Sequence, residues 1–245
     1  MIIQNTNFSI LYPRINNLRR KFVEHEDKLS EYFLPYNILP IPDDAPEEIP
    51  RIIMATKNGH SNLQISLNAM MLNTNYDNVF QNNWDACLDY LKKRVNNIYE
   101  ILQDTLKQDK FLFTGLTTQM IFDNINENPI KLINDRLLNI KVSKEPFDLN
   151  CKLTFVYEEN YYINITFMNM RFYEGTVALG NDSLAKLKEK AHNLGIILDV
   201  NDRYGFNYKE GYTSNYSKVE NVFEITTDII KNKIDKFIKE GVFEL

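Results

Sequence analysis

The residues with the most chemical potential stand together in Asp199-Val200-Asn201-Asp202-Arg203, at the end of the hydrophobic run Leu194 to Val200. Folds that mix helices and strands often set working residues at strand ends, where a loop frees them from ladder geometry. Period-two spacing puts Asp199 and Asn201 on one strand face, with Asp202 on the turn. Their oxygens could hold a hard cation such as Mg²⁺, as a metal-dependent hydrolase or nuclease requires. The same residue types also have a purely structural use. Asp and Asn end strands because their side chains bond nearby backbone amides, and Arg203 can pair with either aspartate. The structural use weighs more, so no catalytic residue is assigned; Asp199 and Asp202 stand as the candidates.

Directly after them comes Arg203 to Tyr216, RYGFNYKEGYTSNY, with Tyr204, Phe206, Tyr208, Tyr212 and Tyr216 spread among Gly, Asn, Ser and Lys. Rings in a polar, glycine-bearing stretch cannot all face a core, and Tyr with Arg is the pairing enriched at binding hot spots. These residues form a candidate partner-binding surface, against the alternative that the rings cover the end of the core. A second candidate is Leu34 to Ile52, where Pro35, Pro40, Pro42, Pro46 and Pro50 alternate with Asp43, Asp44, Glu47 and Glu48. Proline removes backbone donors, so this stretch must be extended and edge-like. It is either a stiff solvated connection or an acidic docking segment for a basic partner.

Signatures of the common enzyme classes, GxGxxG, GxxxxGK[ST], HExxH and GxSxG, do not occur. Gly115-Leu-Thr-Thr118 could bind an anion through its amides, but a lone glycine in a strand more often marks a bulge. His25, His60 and His192 have no metal-ligand spacing, and Cys87 and Cys151 are isolated, which fits reduced, buried thiols. No cofactor is expected. A net charge of −5 and a pI near 5.4 disfavour nucleic acid, which needs a concentrated basic face. The start MIIQNTNFSI lacks a basic leader, and no apolar run approaches the roughly 18 residues of a membrane span. The expected location is cytoplasmic, with another protein as partner and homo-oligomerisation open.

The elements that must position these residues centre on Lys152 to Tyr173. There Leu153, Phe155 and Tyr157 answer Ile163, Ile165 and Phe167 across the polar break 158 to 160, as a hairpin with one buried face requires. After Phe167 the apolar residues move to Met168, Met170 and Phe172, which predicts a β-bulge. A second hairpin is marked by Asn58-Gly59, between Arg51 to Thr56 and Leu63 to Leu67. The pattern further predicts a strand over Ile2 to Tyr12 and a helix from Pro13 to about Phe33. Asn83 to Lys107 reads as a long helix, Phe111 to Phe122 as a strand and Pro129 to Ile140 as a short helix. Asp182 to Asn193 reads as a helix and Leu194 to Val200 as a strand. Ser217 to Lys239 reads as a helix opened by a Ser217/Glu220 capping box and closed by Gly241. The expected class is α+β, with antiparallel sheet packed by long helices. Two tandem halves, 1–108 and 109–245, are expected, each of ferredoxin-like β-α-β-β-α order and together able to form one unit.

LPIPDDAPEEIPRI, GIILDVNDRYGFN and the closing VFEITTDIIKNKIDKFI resemble a group of sporadically distributed, uncharacterised bacterial proteins of similar length. In that pattern a second Asp stands where this chain has Asn201, which weakens a carboxylate pair. Sporadic distribution implies mobile-element, phage-defence or toxin–antitoxin settings. The hairpin-and-helix layout is also similar, at the level of fold, to SecB-like export chaperones, which bind unfolded chains. The leading expectation is an interaction or adaptor subunit of a bacterial assembly. A metal-dependent hydrolase or nuclease and a chaperone are the alternatives.

Overall fold

The computed structural model describes residues 1–107, 110–175 and 187–245. Nine antiparallel strands form one sheet in the order β2-β3-β4-β5-β1-β6-β9-β8-β7. At its centre β1 (Ile2–Leu11) pairs with β6 (Phe113–Phe122), Phe8 opposite Leu116 and Thr6 opposite Thr118. Outward on one side lie β5 (Ala69–Asn75), β4 (Ser61–Ile65) and β3 (Ile52–Thr56), then an added edge strand, β2 (Phe33–Ile38). Outward on the other lie β9 (Lys188–Asn201), β8 (Tyr161–Glu174) and β7 (Asn150–Tyr157). The strand order thus mirrors itself about the β1/β6 seam.

Alternation sets which side of the sheet is covered. Phe8, Ile10, Leu63, Ile65, Leu72, Leu116, Met120, Ile163, Ile165, Leu198 and Val200 all face one way and are buried. Upon them lie α3 (Trp84–Leu106) and the C-terminal helix, which runs as α6 (Tyr216–Asp228), a π-helical turn Ile229–Lys233 and α7 (Ile234–Glu240). Phe223 stacks on Phe8 with ring centroids 5.6 Å apart, and Phe237 meets Phe167 at 4.4 Å. Trp84 Nε1 donates to Thr227 Oγ1 at 3.1 Å, tying the two long helices together. A short helix, α4 (Pro129–Ile133), with its π-turn Asn134–Leu138, buries Leu132 and Ile133 in the same layer.

The central hairpin has the expected register, Leu153 opposite Ile165 and Phe155 opposite Ile163. Its turn runs through Glu158 and Glu159 at φ 48° and 51°. Several local expectations are corrected. The helix placed at 13 to 33 divides into α1 (Leu18–Val23) and α2 (Glu26–Leu29), and Phe33 opens β2. Leu18, Phe22, Leu29 and Phe33 are all buried, but the seven-residue gap from Phe22 to Leu29 is spanned by a bend that delivers Phe33 to the sheet edge. Strand β8 has no bulge at Phe167. The core face continues through Asn169, whose Oδ1 accepts from Leu149 N at 2.6 Å, while Met168 and Met170 lie on the far face over Gly195. The register shift falls later, between Phe172 and Tyr173.

Residues 188–193 of the expected 182–193 helix belong to β9, where Arg171 and Glu189 pair across the ladder at 2.8 Å; 182–186 lie outside the described residues. Ser66 to Asn68 turn the chain so that β5 returns along β4, held by the Ser66 hydroxyl against Asn68 and Ala69 amides. Among the described residues the first half therefore runs strand, helical segment, four strands and long helix, the second runs strand, helical segment, three strands and, after a short helix, long helix, and the ferredoxin-like order does not hold.

The C-terminal helix starts two residues earlier than the capping box predicted, because the Asn215 side chain accepts from Lys218 N and caps it. Removing an N-cap costs about 1 kcal/mol. Asn215→Ala is expected to lower the melting temperature by about 2–4 °C in a calorimetric scan, with Ser217→Ala leaving it unchanged; the reverse ranking would return the cap to Ser217.

Candidate binding face of the sheet

Side chains that point away from the long helices are mostly amides and hydroxyls. They align in rows, because each register places like positions opposite one another. One row crosses seven neighbouring strands as Thr154, Asn164, Asp199, Thr117, Asn7, Asn73 and Asn62. Asp199 sits near its middle and accepts from Asn164 Nδ2 at 2.9 Å, Asn201 Nδ2 at 3.0 Å and Thr117 Oγ1 at 3.3 Å. The next row holds Tyr162, Asn201, Gly115, Ser9 and Met71. Gly115 leaves a hollow there of about 280 Å³, walled by Phe113, Asp199, Asn201 and Arg203. A Cβ on Gly115 would stand 2.9 Å from that of Asn201, so the close approach of β6 to β9 requires glycine. The anion-binding expectation for Gly115 to Thr118 gives way to a regular strand ladder.

Asp199 and Asp202 do not converge. Asp202 turns into the interior and is fully buried. Its Oδ1 accepts from Thr114 N at 2.7 Å, and Oδ2 accepts from Tyr212 Oη at 2.7 Å and from the Ser214 hydroxyl. Burial pushes the Asp202 carboxyl above the ordinary aspartate range, and those three donors pull against the shift. Burial, then the adjacent Asp202 carboxylate, raises the Tyr212 phenol in turn. Asp202 is thus a structural joint locking the end of β9 to β6 and to the 212–214 segment. Among the described residues no group of three or more His, Cys, Asp and Glu side chains is placed to hold a metal ion.

The aromatic stretch is not one loop. Arg203 to Tyr208 form a short helix, α5, whose Gly205 amide donates to Asn160 O at 2.9 Å. Two of the five rings turn inward. Tyr212 serves Asp202 and packs on Gly205, where a Cβ would come within 2.4 Å of its ring. Tyr216 packs on Tyr99 of α3 at 4.8 Å and donates to Asn96 Oδ1 at 2.7 Å. The other three face outward at the end of the uncovered sheet face. Tyr204 meets Tyr162 edge-on at 5.3 Å and Tyr208 at 4.8 Å, while Phe206 meets Phe113 at 5.3 Å. The Arg203 guanidinium lies 5.4 Å from the Phe113 ring centre. Tyr208 is 67 % exposed and Phe206 39 %. The Tyr162 phenol is raised, first by the neighbouring Tyr208 phenol. Phe113, Tyr162, Asn7 and Ser9 escaped sequence reasoning; for Asn7 and Ser9 the polar alternation Asn5, Asn7, Ser9 within β1 was the signal.

The acidic proline segment is held against its own chain. Asp43 pairs with Arg19 and Glu47 with Arg14, each at 2.7 Å. Fully buried Arg51 donates to the carbonyls of Pro42, Ala45, Pro46 and Ile49. Asp44 and Glu48 remain exposed.

Removing the Asp202 carboxylate leaves the Thr114 amide and two hydroxyls without their acceptor, at about 1–3 kcal/mol for each group left unpaired. Asp202→Ala is therefore expected to lower the melting temperature by at least 6 °C, on a scale of about 2–4 °C per kcal/mol. Asp199→Ala, on the water-facing side, is expected to shift it by less than about 2 °C; equal losses would contradict the two-sided placement. Comparisons with family models, curated proteins and solved structures found no match for this chain.

Proposed function

We propose that the protein is a cytoplasmic interaction module, an adaptor-type subunit that binds a partner protein with the α5 end of its uncovered sheet face. The mobile-element, phage-defence or toxin–antitoxin settings implied by the resemblance are the proposed context. The observation that carries the reading is the display of Tyr204, Phe206 and Tyr208 on one short helix beside Arg203. Tyr and Phe offer large contact area with few rotatable bonds, so little entropy is lost when a partner covers them. Arg supplies planar hydrogen bonding next to them. The amide and hydroxyl rows beyond give a polar surround of the kind that rims a hot spot.

Phe206→Ala with Tyr208→Ala tests it, because both side chains are exposed and their loss leaves the core intact. Affinity purification from the native host is expected to recover a stoichiometric partner with the wild type. The double variant should bind that partner at least about a hundredfold more weakly, as loss of two hot-spot rings implies, with a melting temperature within about 2 °C of wild type. Undiminished binding by the variant would overturn the proposal.

A chaperone-like second reading has one observation in its favour. Ile140, Val142 and Phe147 are exposed at 53 %, 59 % and 71 % on the segment after α4, beside a hollow of about 250 Å³ lined by Ile130, Leu138 and Leu149. On this reading the purified chain suppresses aggregation of an unrelated heat-denatured client at equimolar ratio, and Phe147→Asp abolishes the effect. No suppression removes it.

A further inference from the structure

The sheet ends differently on its two sides. At the β2 end the edge is blunted: Pro35 lies within the strand, Pro40 and Pro42 follow it, and the register with β3 shifts between Phe33 and Tyr36. Such features stop a further strand from adding. At the other end β7 runs for eight residues, Asn150–Tyr157, without proline, and pairs with β8 without a register shift. Its outer edge pairs with no strand among the described residues, so alternate N–H and C=O groups point outward.

Mirror order about the β1/β6 seam makes β7 the counterpart of β3. The outer edge of β3 is occupied, because β2 pairs with it antiparallel, Ile38 opposite Ile52 and Tyr36 opposite Met54. In one half of the molecule, then, this edge carries an extended strand; in the other it carries none among the described residues. The side chains of β7 agree. Leu153, Phe155 and Tyr157 pack on the core yet stay partly exposed at its rim, and Val156 on the opposite face is 49 % exposed.

We propose that β7 pairs antiparallel with β7 of a second copy about a two-fold axis, continuing one sheet across a homodimer. The sequence of β7 is complementary to itself in one register. With the axis at Phe155, that ring faces its own copy, Leu153 faces Tyr157 and Thr154 faces Val156. Thr154 and Val156, both exposed on the water-facing side, thus meet twice, once on each side of the axis. Apolar, aromatic and β-branched pairs are cross-strand combinations that stabilise antiparallel ladders. A two-fold interface also closes on itself, so the β7 edge leads to a dimer and not to a fibre.

Light scattering on the full chain after size exclusion, over about 1 to 100 µM because dimerisation follows mass action, decides it. The wild type is expected to be dimeric at the upper end. Thr154→Lys with Val156→Lys sets like charges opposite each other at two symmetric contacts and should raise the dimer dissociation constant at least about tenfold. Thr154→Glu with Val156→Lys sets opposite charges there and should restore dimerisation. Thr154→Pro removes an edge N–H and should give monomer; the lysine pair, at exposed positions, keeps the test valid if the proline variant fails to fold. A wild type that stays monomeric throughout overturns the proposal, as does a dimer that the lysine pair leaves unweakened.

Discussion

The long helices pack on one side of the nine-stranded sheet, and this one-sided cover is the constraint on which the rest depends. Strands that bury one face and wet the other must alternate between apolar and polar residues, and the register must be held everywhere, since a slip of one residue would exchange the faces. The chain meets this demand at its centre, where β1 and β6 pair over Phe8 and Leu116. From that seam both halves build outward by the same succession of strands, each sending its long helix back over the same side.

Water on the opposite side explains its composition. Charged rows would repel, and apolar rows would invite non-specific association. Asn, Thr, Ser and Gln avoid both, and they pair laterally: Thr154 donates to Asn164, Asn164 to Asp199, and Asn5 to Gln119. Asp199, the one acid in its row, accepts from three neighbouring donors. Against this even background the rings of α5 and Phe113 stand out. Their position follows from Asp202, whose buried carboxylate fixes the turn from β9 into α5 and so sets the direction in which Arg203, Tyr204 and Phe206 leave the sheet.

Much of this was legible in the sequence wherever one physical signal dominated. The α+β class, both hairpins, the span of α3 and the Gly241 terminator, at φ 74°, follow from periodicity and turn chemistry. Reading failed where tertiary packing overrode the local signal. Ser66 to Asn68 turn without Gly or Pro, so β5 was hidden in an unbroken alternating run. Asn169 occupies a core position because it can bond the Leu149 backbone on β7's approach, which made the pattern resemble a bulge. Lys188 to His192 look helical by composition, yet they extend the ladder with β8 through Arg171 and Glu189. At the candidate site, the sequence marked Asp199, Asp202 and the aromatic stretch. It could not show that the two aspartates face opposite sides, that Tyr212 and Tyr216 turn inward, or that Phe113 and Tyr162 join the outward cluster, since those facts depend on pairing between strands up to a hundred residues apart.

The methionines offer the most direct test of one-sided cover, because they are distributed over both faces. Met54 and Met120 are fully buried and Met70 nearly so beneath the helices, whereas neighbouring Met71 points the other way and is 38 % exposed. Brief treatment of the folded protein with dilute peroxide, followed by peptide mass spectrometry, reads each thioether separately. The account predicts rapid oxidation of Met71, with Met54, Met70 and Met120 protected until the protein unfolds. Protection of Met71 equal to that of Met120, or early oxidation of Met120, would show that the sheet is covered otherwise than described and would contradict the account.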